Sequence, residues 1–216
     1  MTLRRASAAL PDKRASVESL EQYAQRLASA DPVPGGGSAA TIVAALGAAL
    51  VAMVARISAG NPKYADHAAD AARIASESDA LRERLTHARE RDERAFGGVV
   101  EAQRLPKTTP EENSTRRDAL EIALRAAAEA PLDAAALALE ALRLSERALQ
   151  IPNRSLASDL GCAAEFGAAA LHACAYNVRV NHHYMRDAAV ISAQSERLEA
   201  YEREANAILQ HIRKAI

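Results

Sequence analysis

The segment from residue 31 to residue 57 constrains the fold of this chain more strongly than any other. It begins with a loop of prolines, glycines and a serine, and continues as an almost unbroken run of small apolar residues. The loop residues are Pro32, Pro34, Gly35, Gly36, Gly37 and Ser38. Because prolines and glycines disfavour a helix across the loop, Ser38 is the natural N-cap of the helix that follows. The loop thus predicts bare N–H groups at a positive helix end, where anions and carbonyl oxygens bind, although a plain turn onto a buried helix would use the same glycines.

Every long segment of the sequence has the periodicity of an α-helix, and none alternates as a strand does. The predicted helices cover residues 17–28, 38–58, 63–104, 110–130, 155–180 and 187–214. Pro131 either kinks the fourth helix or begins another that ends near Gln150, and the tripeptide Asn181-His182-His183 is predicted to be a loop. These patterns predict an all-α, single-domain antiparallel bundle of about seven helices over residues 16–216.

The N-terminal residues, the net charge and the cysteines bear on where the protein is located and what it binds. Residues 1–15 are expected to be a flexible N-terminal extension, although a transit peptide has a similar composition. The net charge of −1 gives no indication of a nucleic-acid surface. Cys162 and Cys174 lie on one predicted helix and too far apart to bridge within it, so we expect free, buried thiols and a cytoplasmic protein.

The predicted helix 38–58 is apolar nearly all round, so it is either central in the bundle or buried at a subunit interface. Gly47 at its middle indicates close packing against another backbone. We therefore expect a homodimer that forms through apolar helices. A membrane span over residues 39–55 is the disfavoured alternative, because the segment is mostly alanine and has no aromatic belt.

Asp92 is the first candidate for catalysis. The helix 63–104 carries an apolar stripe at seven-residue spacing, and Asp92 occupies a position on that stripe. A carboxylate among apolar side chains has a raised pKa and can act as a general acid or base near neutral pH. A buried ion pair with an arginine of a neighbouring helix would explain the same placement.

Six further side chains are weaker candidates, each with a structural explanation beside the functional one. They are Asp159, Asn177, Asn181, Lys63, Tyr64 and Lys107. An acid in the first turn of a helix, such as Asp159, commonly only complements the dipole. Asn177 and Asn181 stand one turn apart and can bind an amide-like ligand or close a helix end. The lysines can reach an anionic tail or remain solvated. The histidines and cysteines lack metal-binding spacing, so no metal is predicted.

Several segments, taken in order, resemble a known family. They are Pro32 to Ser38, Ala45 to Leu50, Met53-Val54, Lys63-Tyr64, Asp92 with Ala95-Phe96, Leu105-Pro106-Lys107, Pro131-Leu132, Ser158-Asp159 and Asn177 to Asn181. Over residues 17–190 the chain is similar to the cyclodeaminase domain of formiminotransferase-cyclodeaminase and to the bacterial methenyltetrahydrofolate cyclohydrolases. The resemblance implies an all-α dimer that binds a tetrahydrofolate derivative near the glycine loop, with no cofactor besides that substrate.

The chemistry that the resemblance implies passes through a tetrahedral carbon between two nitrogens and needs a proton carrier beside a cationic amidinium. A buried carboxylate meets both needs, so we expect Asp92 to be catalytic and Asp159 to be second. The loop from Pro34 to Ser38 is assigned to the folate, and Lys63 or Lys107 to its glutamate carboxylates. Two alternatives stay open, a non-catalytic helical dimer that binds folate or another small anion and a purely structural bundle. Because no transferase domain accompanies the sequence, the cyclohydrolase is favoured over the cyclodeaminase.

Overall fold

The structure is a computed structural model and describes residues 18–216. The predicted extension 1–15 lies outside the described residues. Within them the chain forms six α-helices and two short 3-10 helices, Pro62–His67 and Arg154–Leu156. The α-helices are α1 (Leu20–Leu27), α2 (Gly36–Ala59), α3 (Ala68–Arg104), α4 (Pro110–Leu149), α5 (Ala157–Tyr184) and α6 (Ala188–Ala215). The all-α prediction is confirmed.

Local side chains explain where three of the helices begin. Ser19 caps α1 and Thr109 caps α4, each in a reciprocal pair with the residue three positions later. Asp187 caps α6 by accepting from the N–H groups of the second and third residues of that helix, as predicted. Helix α2 differs from the prediction, because it begins at Gly36 with Gly35 as its N-cap. Ser38 is not the cap, since its hydroxyl is bonded to side chains of α1 and α3.

Pro131 lies inside α4 and does not begin a new helix, so the described residues contain six α-helices where about seven were predicted. A proline removes the N–H that would bond the carbonyl four residues earlier, here that of Ala127. The side-chain amide of Asn181 donates to this oxygen at 2.8 Å. Asn181 lies inside α5, which continues to Tyr184, so the loop predicted at 181–183 is wrong. The bond from α5 replaces the missing backbone bond and keeps α4 continuous.

The core forms where α2 packs between α3, α4 and α5. Two glycines allow close approaches within this core: a Cβ on Gly47 would lie 3.0 Å from the carbonyl oxygen of Ala163, and one on Gly167 would lie 3.0 Å from Cγ of Leu142. The packing reason predicted for Gly47 is therefore correct. Cys174 is buried within this core, whereas Cys162 is exposed, so the expectation of two buried thiols holds for one of them.

Helix α2 is the one helix of the described chain that is long and apolar enough to cross a membrane. More than half of its most apolar window, 56%, is buried against the other helices. A central helix of a bundle has this composition for reasons of packing alone. The rest of its apolar surface faces outward, at Leu46, Met53 and Ile57.

Candidate active site

The glycine loop, α3 and α5 enclose a cavity of about 240 Å³, bordered also by Ala127 of α4. The cavity brings together several of the predicted residues, which are Gly35, Gly36, Gly37, Asp92, Asn177 and Asn181. Glu93 and Phe96 also line it and were not predicted as site residues. Two acids, two amides and the start of a helix thus converge on one small space.

Asp92 is held against the first turn of α2. The backbone N–H of Ser38 lies near its carboxylate and favours the ionised form. A Cβ on Gly37 would lie 2.7 Å from Cγ of Asp92 and 2.8 Å from Oδ2, so the carboxylate occupies the space that any side chain at position 37 would fill. The close approach of acid and helix therefore requires glycine at position 37.

The surroundings raise the pKa of Asp92 from 3.8 to about 6. The main cause is burial, which disfavours the charged carboxylate, and the negative charge of Glu93 acts in the same direction. The backbone N–H of Ser38 opposes both, since it favours the charged form. A carboxyl group with such a pKa is mostly ionised at neutral pH and exchanges its proton there readily, as a general base requires.

Glu93 belongs to a hydrogen-bond chain that joins α1 to the site. The hydroxyl of Ser38 donates to Oε1 of Glu93 at 2.9 Å, and it lies 2.8 Å from the hydroxyl of Tyr23. Since the one proton of Ser38 goes to Glu93, Tyr23 is the donor to Ser38. Arg26 and Arg89 flank the carboxylate of Glu93 at 3.4 and 3.9 Å. These hydrogen bonds fix Ser38, whose backbone N–H lies near the Asp92 carboxylate.

The side-chain amides of Asn177 and Asn181 make different hydrogen bonds. Nδ2 of Asn177 donates to the carbonyl of Ala173 at 2.8 Å, so Oδ1 is the atom that can accept a hydrogen bond from a ligand. Nδ2 of Asn181 is shared between the carbonyls of Ala127 and Asn177, at 2.8 and 2.9 Å. Asn181 therefore positions the cavity wall, and its Oδ1 is likewise the atom that remains for a ligand.

The remaining predicted residues do not border this cavity. Asp159 lies eighteen residues before Asn177 on α5, about 27 Å away along the helix axis. Pro34 and Ser38 are buried behind the loop. Tyr64 is buried in another place, where its hydroxyl donates to Asn153 at 3.3 Å.

Neither predicted lysine borders the cavity either. Nζ of Lys63 lies 5.5 Å from the centre of the Tyr64 ring, and Lys107 lies in the α3–α4 connection, where its carbonyl accepts from Asn113. The assignments of Asp159, Lys63, Tyr64 and Lys107 to the Asp92 site are therefore not supported within one copy of the chain.

Other chemistry near the cavity is limited. Burial raises the pKa of Cys174 to about 12, with a smaller contribution from the charge of Asp92, so this thiol is not a nucleophile at neutral pH. Residues 18–216 contain no cluster of histidine, cysteine and acidic side chains that fits a metal ion. Proton transfer by Asp92 is the chemistry that the side chains of the cavity favour.

These features define an all-α protein with a small acid-and-amide pocket built on a glycine-started helix. The sequence profile described as formiminotransferase-cyclodeaminase matches residues 19–200. The chain therefore belongs to the formiminotransferase-cyclodeaminase family, which confirms the resemblance found in the sequence.

Individual relatives agree with this membership. The chain is 36% identical to the methenyltetrahydrofolate cyclohydrolase of Methylorubrum extorquens, over 92% of this chain and 96% of that protein. It is 33% identical to the formimidoyltransferase-cyclodeaminase of Mus musculus over 82% of this chain, but it spans only 33% of that longer protein. Its fold matches the crystal structure of formiminotetrahydrofolate cyclodeaminase from Thermotoga maritima with a TM-score of 0.82 and 27% identity, over 91% of this chain and 94% of that one.

The raised pKa of Asp92 predicts that Asp92→Asn stabilises the folded protein. Because the folded state binds this proton more tightly than the unfolded state, the stability that Asp92 contributes falls as pH rises from about 4 through about 6. The neutral amide removes that loss, so at pH 7.5 we expect the variant to be more stable by about 1–3 kcal/mol. Urea unfolding at fixed protein concentration from pH 5 to 8 measures the difference, which should shrink at the acid end.

The matched control is Asp159→Asn, which removes an acid from the first turn of α5, where negative charge is favourable. This variant should not gain stability at pH 7.5. A loss of stability in Asp92→Asn at the same pH would contradict the proposed cost of ionising Asp92.

Proposed function

We propose that this chain is a folate one-carbon enzyme that hydrolyses the methenyl bridge of methenyltetrahydrofolate to give formyl-tetrahydrofolate. The observation that carries the proposal is the Asp92 carboxylate, which has a pKa of about 6 and lies in a cavity bordered by the bare backbone of the glycine loop. The similarity to the cyclohydrolase of Methylorubrum extorquens over nearly the full length of both chains supports the choice of reaction.

The reaction needs a base near a positive charge. The methenyl carbon bridges two nitrogens that share a positive charge, and an ionised Asp92 stabilises that cation. Asp92 takes a proton from water as the water oxygen bonds to the methenyl carbon, which gives a neutral tetrahedral adduct. When one carbon–nitrogen bond breaks, the departing nitrogen gains a proton and the adduct's hydroxyl loses one, leaving a formyl group. One proton is released overall, and the reaction requires no redox step and no cofactor.

The cavity contributes the positioning that this step requires. Oδ1 of Asn177 and Oδ1 of Asn181 are acceptors for N–H groups of a folate ring, and the N–H groups of the α2 start are donors for its carbonyl. Phe96 lies exposed at the mouth and offers an aromatic face. Groups held in place in this way contribute to catalysis by fixing the substrate against the base.

Cyclodeaminase activity is the second candidate, and the fold match to the Thermotoga maritima enzyme favours it. In that reaction the formimino group closes onto the second nitrogen of the folate and ammonia leaves. Both reactions pass through a tetrahedral carbon and need a proton carrier, so Asp92 would serve in either reaction. Assay of formyl-tetrahydrofolate formation beside assay of ammonia release distinguishes the two activities.

Exchange of Asp92 for asparagine should abolish turnover without unfolding the protein. We expect a loss of about 10²–10⁴-fold in kcat/KM for Asp92→Asn, the usual contribution of a general base. In the wild type, kcat/KM should rise with pH through about 6, as Asp92 ionises. The decay of the methenyl absorbance, corrected for the reaction without enzyme, measures both effects.

The control is Asp159→Asn, the same exchange at an acid outside the cavity, and it should keep near wild-type turnover. Full activity in Asp92→Asn would contradict the mechanism. Loss of activity in Asp159→Asn alone would show that the second acid is the functional one.

We further propose that the protein is a cytoplasmic homodimer joined through the outer face of α2. Val43, Leu46, Leu50, Met53 and Ile57 follow one another at alternating steps of three and four residues, the spacing of a helix–helix seam. Leu46, Met53 and Ile57 are 48%, 36% and 49% exposed in the single chain. A contiguous apolar stripe of this kind marks an association surface. The free thiols of Cys162 and Cys174 support the cytoplasmic location.

A charge placed on the α2 stripe should separate the subunits. We expect wild-type protein at micromolar concentration to have the mass of a dimer, and Met53→Glu to have the mass of a monomer, because a carboxylate cannot be buried unpaired at the seam. Sedimentation or light scattering measures the mass. Ile122→Glu, at an exposed apolar residue of α4, is the control and should leave the mass unchanged. A monomeric wild type would contradict the interface.

A further inference from the structure

A second and larger cavity adjoins the Asp92 cavity. It has a volume of about 770 Å³ and shares the wall residues Phe96 and Asn181 with the smaller one, so the two cavities lie side by side. Its walls come from α3, α4 and the end of α5, and they are mostly apolar, with Val99, Leu120 and Tyr184 among them. We call this space the α3–α4 groove.

The outer end of the groove carries excess positive charge. Arg116, Arg117 and Arg186 line it together with a single acid, Glu121. Glu121 is already occupied, since its carboxylate accepts from the backbone N–H groups of Arg186 and Asp187 at 3.0 Å and from Nε of Arg186 at 3.3 Å. Arg186 and Glu121 therefore neutralise one another.

Arg116 and Arg117 are the cations that remain for a ligand. Arg116 donates to the carbonyl of Gln103 at 3.3 Å, and Arg117 is exposed at the rim. Within the described part of the chain, neither of them forms an ion pair. A guanidinium with free donors at the end of an apolar groove favours a planar anion such as a carboxylate.

The order of residues along the helices sets the length of the path. Ala127 borders the Asp92 cavity and Arg117 lies ten residues earlier on α4, about 15 Å away along the axis. On α3, Asp92 and Gln103 are separated by a similar distance, about 16 Å. The path therefore runs from an acid, past an aromatic ring at Phe96, through an apolar channel, to two arginines.

We propose that the α3–α4 groove binds the p-aminobenzoyl-glutamate portion of the folate, with its aromatic ring between Phe96 and the apolar walls and a glutamate carboxylate on Arg117 and Arg116. The inference rests on the proposed function, because it extends the same substrate outward from the Asp92 cavity. It also replaces the earlier assignment of the carboxylates to Lys63 and Lys107, neither of which borders the groove.

The test compares two substrates that differ only in the glutamate. These are methenyltetrahydrofolate and methenyltetrahydropteroate, which ends at the aromatic carboxylate. We expect Arg117→Ala to lower kcat/KM for the glutamate-bearing substrate about tenfold more than for the truncated one, mainly through KM, because a charge-assisted hydrogen bond is lost. Arg117→Lys should recover part of the difference by keeping the charge. Arg203→Ala, at an exposed arginine of α6, is the matched control and should not change the ratio.

The outcomes separate this inference from the proposed function. Suppose that the wild type turns over both substrates, and that Arg117→Ala lowers kcat/KM equally for both or leaves both values unchanged. The groove assignment is then wrong, while the enzymatic function stands. If the wild type turns over neither substrate, the proposed function fails. In that case titration of the protein with p-aminobenzoyl-glutamate decides the groove alone: binding that Arg117→Ala weakens would support the subsite, and absence of binding would overturn it.

Discussion

The contact between the Asp92 carboxylate and the first turn of α2 is the interaction on which the candidate site depends. It is possible only because Gly37 has no side chain, and the nearby backbone N–H of Ser38 offsets part of the cost of burying the acid. The Tyr23–Ser38–Glu93 chain fixes the position of that N–H. In the proposed function the glycine loop would both contact the ligand and hold the acid that reacts, and its position depends on contacts with α1 and α3 as well as on its own residues.

The opposite wall of the site depends on a defect in α4. Pro131 leaves the carbonyl of Ala127 without its helical donor, and the Asn181 amide supplies the missing bond from α5. This bond ties α4 to α5 beside the wall that the small cavity and the α3–α4 groove share. The bond helps to position Asn177 and Asn181 opposite Phe96 of α3, along the path that a long, partly aromatic substrate would follow.

The sequence predicted the elements that depend on local pattern and missed those that depend on packing. Helical periodicity predicted the all-α fold, and the position of Asp92 on an apolar stripe predicted a buried acid there. Ser38 was wrongly expected to cap α2, because nothing local shows that its hydroxyl bonds to Tyr23 and Glu93 instead. The two lysines were predicted as ligand cations because they lie near helix ends. Arg116 and Arg117 are neighbours on α4, but they face the apolar walls of the groove only when α4 packs against α3 and α5. Asp159 matched a family motif, but helix rise alone keeps it from the Asp92 cavity of its own chain.

The most direct test is the titration of the Asp92 carboxyl group in the free protein. Carbon-13 chemical shifts of the aspartate carboxyls, followed from pH 4.5 to 8 and assigned by the signal that Asp92→Asn removes, report its pKa without reference to any substrate. The account predicts a midpoint near 6, well above the ordinary value of 3.8. A carboxyl group that is already fully ionised at pH 4.5 would show that Asp92 is a solvated or paired acid, and it would contradict the mechanism built on it.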